Sequence, residues 1–279
     1  MLFVFAYIIF SVIFGQLFKV ASVRKCNPVA VSTVNYLVAG IILTGAYLVR
    51  VAPVPVAPLF AIGVFGGVAF IASLLALIHA LGATNVGATM TAFRLSLVVP
   101  ILVAIVLWDE HPSIRQSAGV LLVCLSLTLM TRNASPSSRN RTSSILPIIA
   151  VFVCEGLAKT ALRMVPEFGL NPYLKEVLAV IFLTAFVIGA VTLNLQHLQP
   201  SRLDVLLGTA IGVINIVATG AILKALTILP GYVVFSVGHT ICVLLDNACA
   251  WAIWKEPITR TKLVGVALGV LAAALISLN

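Results

Sequence analysis

Charge is what this sequence has least of. Asp, Glu, Lys and Arg together make up 9% of its 279 residues, against about 25% in soluble domains. So sparse a set cannot cover a water-facing surface, and the solvent for most of the chain is lipid. The eight acidic residues nowhere cluster, which excludes an acidic metal site. Neither a Cys-x-x-Cys pair nor a His/Cys group at metal-ligand spacing occurs. The five cysteines, Cys26, Cys124, Cys154, Cys242 and Cys249, read as small packing residues. H-E-x-x-H, G-x-S-x-G and a glycine-rich phosphate loop are also missing, so neither enzymatic activity nor a bound metal or cofactor is expected. No A-x-A-like site closes residues 1–19, which are read as a membrane segment rather than a leader.

What the chain does have is apolar length. Hydrophobic residues make up 61%, and they fall into ten segments at 1–19, 30–49, 58–80, 84–108, 114–131, 145–163, 173–194, 203–224, 230–252 and 262–278. Spans of about 20 apolar residues cross a bilayer as helices, because backbone groups in lipid must be satisfied within the segment. Breaks fall at Asn27-Pro28, at Pro53, Pro55 and Pro58, and at His111-Pro112, Asn171-Pro172 and Glu256-Pro257. The loops are too short to hold an extramembrane domain. The net charge of +9 sits at segment ends, where anionic headgroups and the positive-inside bias account for it, and no nucleic-acid partner is expected.

The chain also repeats itself at a nearly constant offset of about 145 residues. Asn27-Pro28 returns as Asn171-Pro172, Gly63 and Gly67 as Gly208 and Gly212, and Ala80-Leu81 as Ala225-Leu226. Trp108-x-Glu110 returns as Trp254-x-Glu256, and Gly119 as Gly265. Residues 132–144, basic and Ser-rich, read as a linker between a first unit at 1–131 and a second at 145–279. Each unit holds five segments, an odd number, so the second enters the membrane from the opposite side. Inverted repeats of this kind are an architecture of secondary transporters. The expected fold is an all-α membrane protein with ten transmembrane helices, arranged as two inverted five-helix repeats around a central cavity. The paired G-x-x-x-G motifs are expected to serve close helix packing.

With these features the chain resembles an EamA-type member of the drug/metabolite transporter superfamily. The matching residues are Phe14-Gly15, Lys19, Asn27-Pro28, Ala80-Leu81, Pro100, Trp108-Asp109-Glu110 and Gly119, and in the second unit Trp254-Lys255-Glu256 with Gly265. The likeness covers essentially the whole chain. Asn35, where many relatives carry Arg, and Asp246, where the fourth segment's proline would recur, depart from the pattern. The resemblance implies ten helices around a cavity and transport of a small metabolite.

Ionisable groups at membrane depth cost about 2.5 kcal/mol or more, so the few present mark a site or pair with one another. They are Glu155 and Lys159 in the sixth segment, Arg94 in the fourth, and His239 and Asp246 in the ninth, with Gln16, Asn35 and Asn215 as neutral companions. Glu155 and Lys159, four residues apart, share a helix face. They either bind an amine or a proton or neutralise each other. Arg94 suits a carboxylate or phosphate, or a partner in Asp246 or Glu155. His239 suits proton coupling or hydrogen-bonded packing. Asp246 suits binding, or snorkelling or capping near a helix end. Lys19 and Arg163 are expected to snorkel.

The sequence therefore leads us to expect a permease that moves a small-molecule substrate, an amino acid or another zwitterionic solute first and in the export direction, by alternating access about Glu155, Lys159, Arg94 and His239. An exchanger of anionic or phosphorylated metabolites is the second expectation, and a membrane-embedded enzyme or scaffold the reading outside transport. The expected setting is the lipid bilayer of a prokaryotic inner membrane, with a coupling proton, as a monomer or homodimer. Ten of the 17 Lys and Arg lie in loops after odd-numbered segments and five after even-numbered ones, which places both termini away from the cytoplasm. The resemblance implies cytoplasmic termini instead.

Overall fold

The computed structural model describes residues 2–47, 56–96, 98–107, 113–131, 141–226, 228, 231–257 and 259–277. These form helices α1 (Leu2–Val23), α2 (Pro28–Tyr47), α3 (Val56–Ala83), α4 (Val86–Leu95), α5 (Val98–Leu107) and α6 (Ile114–Thr131). After them come α7 (Arg141–Glu167), a 3-10 turn at Asn171–Tyr173, α8 (Leu174–Leu195), α9 (Arg202–Leu226), α10 (Gly231–Ala252) and α11 (Arg260–Ser277). No strand occurs among the described residues. Six of these helices, α1, α2, α3, α7, α8 and α9, are long and apolar enough to cross a membrane, and shorter apolar helices accompany them. This is an all-helical chain of multi-pass membrane character.

The helices differ from the expected segments at two places. The fourth segment is two helices, not one. Pro100, in the first turn of α5, has no N–H to give the Ser96 carbonyl, which accepts from the Val99 amide at 2.9 Å instead. The Ser96 hydroxyl turns back onto the Phe93 carbonyl at 2.7 Å. Second, Arg141–Ser144 already belong to α7, so the helix reaches into the expected linker; residues 132–140 lie outside the described set, as do Trp108–Glu110.

Helix starts follow capping chemistry. The Asn27 side-chain oxygen accepts from the amides of Val29 at 2.9 Å and Ala30 at 3.2 Å, with Pro28 as the first residue of α2. Ser201 and Asp204 form a reciprocal box at the start of α9, and the second Asp204 oxygen accepts from the Asn27 amide at 2.9 Å.

Packing is reciprocal between the first and second stretches of chain. Helix α1 lies on α9 and α7 lies on α3, α2 meets α8, and α6 meets α11. Glycines permit the closest of these approaches. A Cβ on Gly67 would lie 2.8 Å from the Ile181 carbonyl of α8, and one on Gly212 would lie 2.9 Å from the Asn35 carbonyl of α2. Gly63 and Gly208 seat Val180 and Val34 on the same two helices. The repeated glycines are thus packing residues. The largest buried cluster fills the space between, around Phe18, Tyr36 and Phe182, and the Tyr36 hydroxyl donates to the Phe70 carbonyl at 2.7 Å.

Candidate functional site

Every residue of the ten-residue helix α4 is buried, so its unpaired terminal groups must be met by protein. Residues from beyond position 140 meet them. At the amino end both carboxylate oxygens of Glu256 accept from the backbone, Oε1 from Val86 and Oε2 from Gly87 at 3.3 Å. Lys262 donates to the same carboxylate at 2.8 Å. At the carboxyl end the Lys159 ammonium donates to the carbonyls of Phe93 at 2.9 Å and Arg94 at 3.4 Å, and to the Ser96 hydroxyl at 2.9 Å. An acid at the amino end and a cation at the carboxyl end are the signs the helix dipole favours. Glu256 thus caps a helix whose first residue lies 170 positions away.

Two ion pairs flank this half-helix. Arg94 Nε meets Asp246 Oδ2 at 2.9 Å, with side-chain exposures of 4% and 0%. Its other nitrogens donate to the Ser11 hydroxyl at 2.7 Å and the Ser11 carbonyl at 2.9 Å. Arg94 is thus enclosed by α1 and α10, its charge balanced and its fork filled. Asp246 is no snorkelling or capping residue, because snorkelling needs a route to the interface and this carboxylate is wholly covered. The second pair is looser. Lys159 Nζ and Glu155 Oε1 stand 3.6 Å apart, with exposures of 21% and 13%. The other Glu155 oxygen accepts from the Ser73 hydroxyl of α3 at 2.7 Å.

Four of the eight sequence-predicted residues therefore come together: Arg94, Asp246, Glu155 and Lys159. Gln16 adjoins them on α1 but is engaged by Trp254, whose indole N–H donates to its oxygen at 2.7 Å. The Asn215 amide donates to the Asn35 side-chain oxygen at 3.4 Å across α2 and α9. His239 belongs to α10, and its side chain lies outside the described residues. The Lys19 ammonium donates to the Leu81 carbonyl at 2.6 Å and lies 5.7 Å from the centroid of the Trp254 ring. Arg163 instead pairs with Glu167 at 3.3 Å on a partly exposed face.

Sequence reading missed Ser11, Ser73 and Ser96, since a lone serine in an apolar run carries no charge to betray it. One signal was present for Ser11. Carrying Glu155 back by the offset that relates Asn171 to Asn27 lands on Ser11, and carrying Lys159 back lands on Gly15. The Asn247 amide donates to Thr91 on α4 at 3.1 Å.

No protein-family model matches this sequence, and no curated protein matches it. Its fold does have counterparts. One protein of known crystal structure superposes with a TM-score of 0.64 over 98% of this chain and 98% of its own, at 17% identity. That identity speaks for the fold alone.

Proposed function

We propose that the chain is a secondary transporter that moves a small zwitterionic or amphipathic metabolite by alternating access. The observation behind this is the Glu155–Lys159 pair at the carboxyl end of α4, partly exposed where the neighbouring Arg94–Asp246 pair is sealed. Discontinuous helices whose ends meet charged groups near the midplane are a recurrent way for transporters to hold solutes. Taking α4 and α5 as one broken crossing gives ten crossings, five in each half. The reciprocal packing of α1 on α9 and α7 on α3 supports two inverted repeats, and with them the likeness to EamA-type drug/metabolite transporters. Three polar links join the halves on one face: Asn27 to Asp204, Gln16 to Trp254, and the α4 amino end to Glu256. Under this mechanism they break when that face opens.

An amino acid is the first cargo class to test, and export the first direction. Exchange of anionic metabolites is less well supported, because Arg94, one of its two cations, has every nitrogen committed to Asp246 or Ser11. The test compares metabolites inside cells and in the medium for wild type and Glu155→Gln at matched membrane levels. A solute that crosses with wild type should cross with roughly tenfold to a hundredfold lower apparent affinity in the variant, the worth of one charge-assisted bond. Profiles for wild type that match cells lacking the protein, across hosts supplied with amino acids, would overturn the proposal.

A further inference from the structure

The surroundings of the Lys159 ammonium point to more than a helix cap. Four oxygens face its three N–H groups: the Phe93 carbonyl and Ser96 hydroxyl at 2.9 Å each, the Arg94 carbonyl at 3.4 Å, and Glu155 Oε1 at 3.6 Å. The Phe93 ring lies 5.4 Å from the same nitrogen, within cation–π range. Carbonyls, a hydroxyl, a carboxylate and an aromatic ring are the groups that recognise a primary ammonium, whatever it is attached to. The loosest of the four oxygens belongs to the one carboxylate among them, so Lys159 fills this cage without satisfying it. Because the other pair is closed on itself, the cage carries one negative charge once Lys159 leaves.

We infer that Lys159 is a tethered occupant of a primary-ammonium site built by Glu155, Ser96, the Phe93 and Arg94 carbonyls and the Phe93 ring, and that the amino group of the cargo takes its place there. The displaced lysine then meets the carboxylate of the same cargo, so a zwitterion inserts between Glu155 and Lys159 with no change in net charge. Only this identification of the occupant with cargo rests on the transport proposal. The cage itself is a binding site whether or not anything is carried.

The experiment therefore reads binding by thermal unfolding of purified protein, not transport. Lys159→Ala removes three carbons and the ammonium, which n-propylammonium replaces atom for atom. The variant should melt below wild type, and n-propylammonium at ten times its half-saturating concentration should raise its melting temperature by roughly 3 °C. Wild type should not respond, n-propanol should fail to substitute, and Glu155→Gln in the Lys159→Ala background should abolish the shift. If Lys159→Ala does not fold, Lys159→Met keeps the bulk of the side chain and vacates only the nitrogen. Ammonium ion should then stabilise it where equal sodium does not. Equal effects of propanol and propylammonium, or no selective response in either variant, would overturn the cage. Selective rescue of Lys159→Ala together with wild-type metabolite profiles that match cells lacking the protein would leave the cage standing and remove transport.

Discussion

Helices α3 and α9 seat their neighbours on matching glycines, whereas α1 and α7, which pack reciprocally on α9 and α3, carry unlike residues at matching positions. Gly63 and Gly67 of α3 seat Val180 and Thr184 of α8; Gly208 and Gly212 of α9 seat Val34 and Val38 of α2. At the corresponding points of α1 and α7 the residues are Ser11 and Gly15 against Glu155 and Lys159. Pro100 of α5 corresponds to Asp246 of α10. Matching small residues thus hold matching helix contacts together, while the unlike positions carry charged groups. The mismatch produces two ion pairs of unlike character, one sealed between α4 and α10 and one partly open on α7.

The sealed pair gives the strongest way to break this comparison. Arg94→Ala leaves Asp246 buried without its counter-charge and should cost about 3–5 kcal/mol of stability, read as loss of yield and a lowered melting temperature in detergent. Arg94→Met with Asp246→Leu should recover most of that loss, since replacing a whole buried pair by apolar groups is close to neutral. A double variant as unstable as Arg94→Ala would mean that the Ser11 contacts, not the pairing, hold α4 in place.

The glycine crossings should respond alike. Gly67→Val and Gly212→Val each drive a side chain against a backbone carbonyl and should each cost about 1–3 kcal/mol by overpacking. Unfolding measured on both would sharpen the comparison if the losses agree, and break it if only one variant is affected.

The smallest effect is expected at the open pair. Ser73→Ala removes one hydrogen bond to Glu155 and should cost about 1 kcal/mol. It should lower the melting temperature slightly while changing apparent cargo affinity by about fivefold. A stability loss as large as that of Arg94→Ala would mean that Glu155 is as structural as Asp246, and the contrast between the pairs would fail.

Much of the fold was legible beforehand. The membrane character, nine of the ten helical segments and the packing role of the repeated glycines follow from runs of apolar residues and from small residues at regular spacing. The break in the fourth segment was marked only by Pro100, and a proline near the start of a helix is compatible with a bend, a kink or a true end. Of the site, the i, i+4 spacing of Glu155 and Lys159 made their pairing readable. Arg94 and Asp246, 152 residues apart, offered no such rule, and Arg94 suited Glu155 equally well by charge. Asn35 and Asn215 looked like site companions because both are polar within apolar segments, yet the bond they make is to each other.

Taken by itself, the sequence determined the membrane character, the apolar helices and the short set of charges within them. These follow from the transfer free energy of side chains, which is a property of each residue and its near neighbours along the chain. Only the tertiary structure decided which charge answers which, that α4 is a short buried helix capped at both ends by residues beyond position 140, and that one ion pair is closed while the other remains partly open. Those outcomes depend on contacts between residues 65 to 170 positions apart. No local energy term orders such partners; the packing of whole helices does.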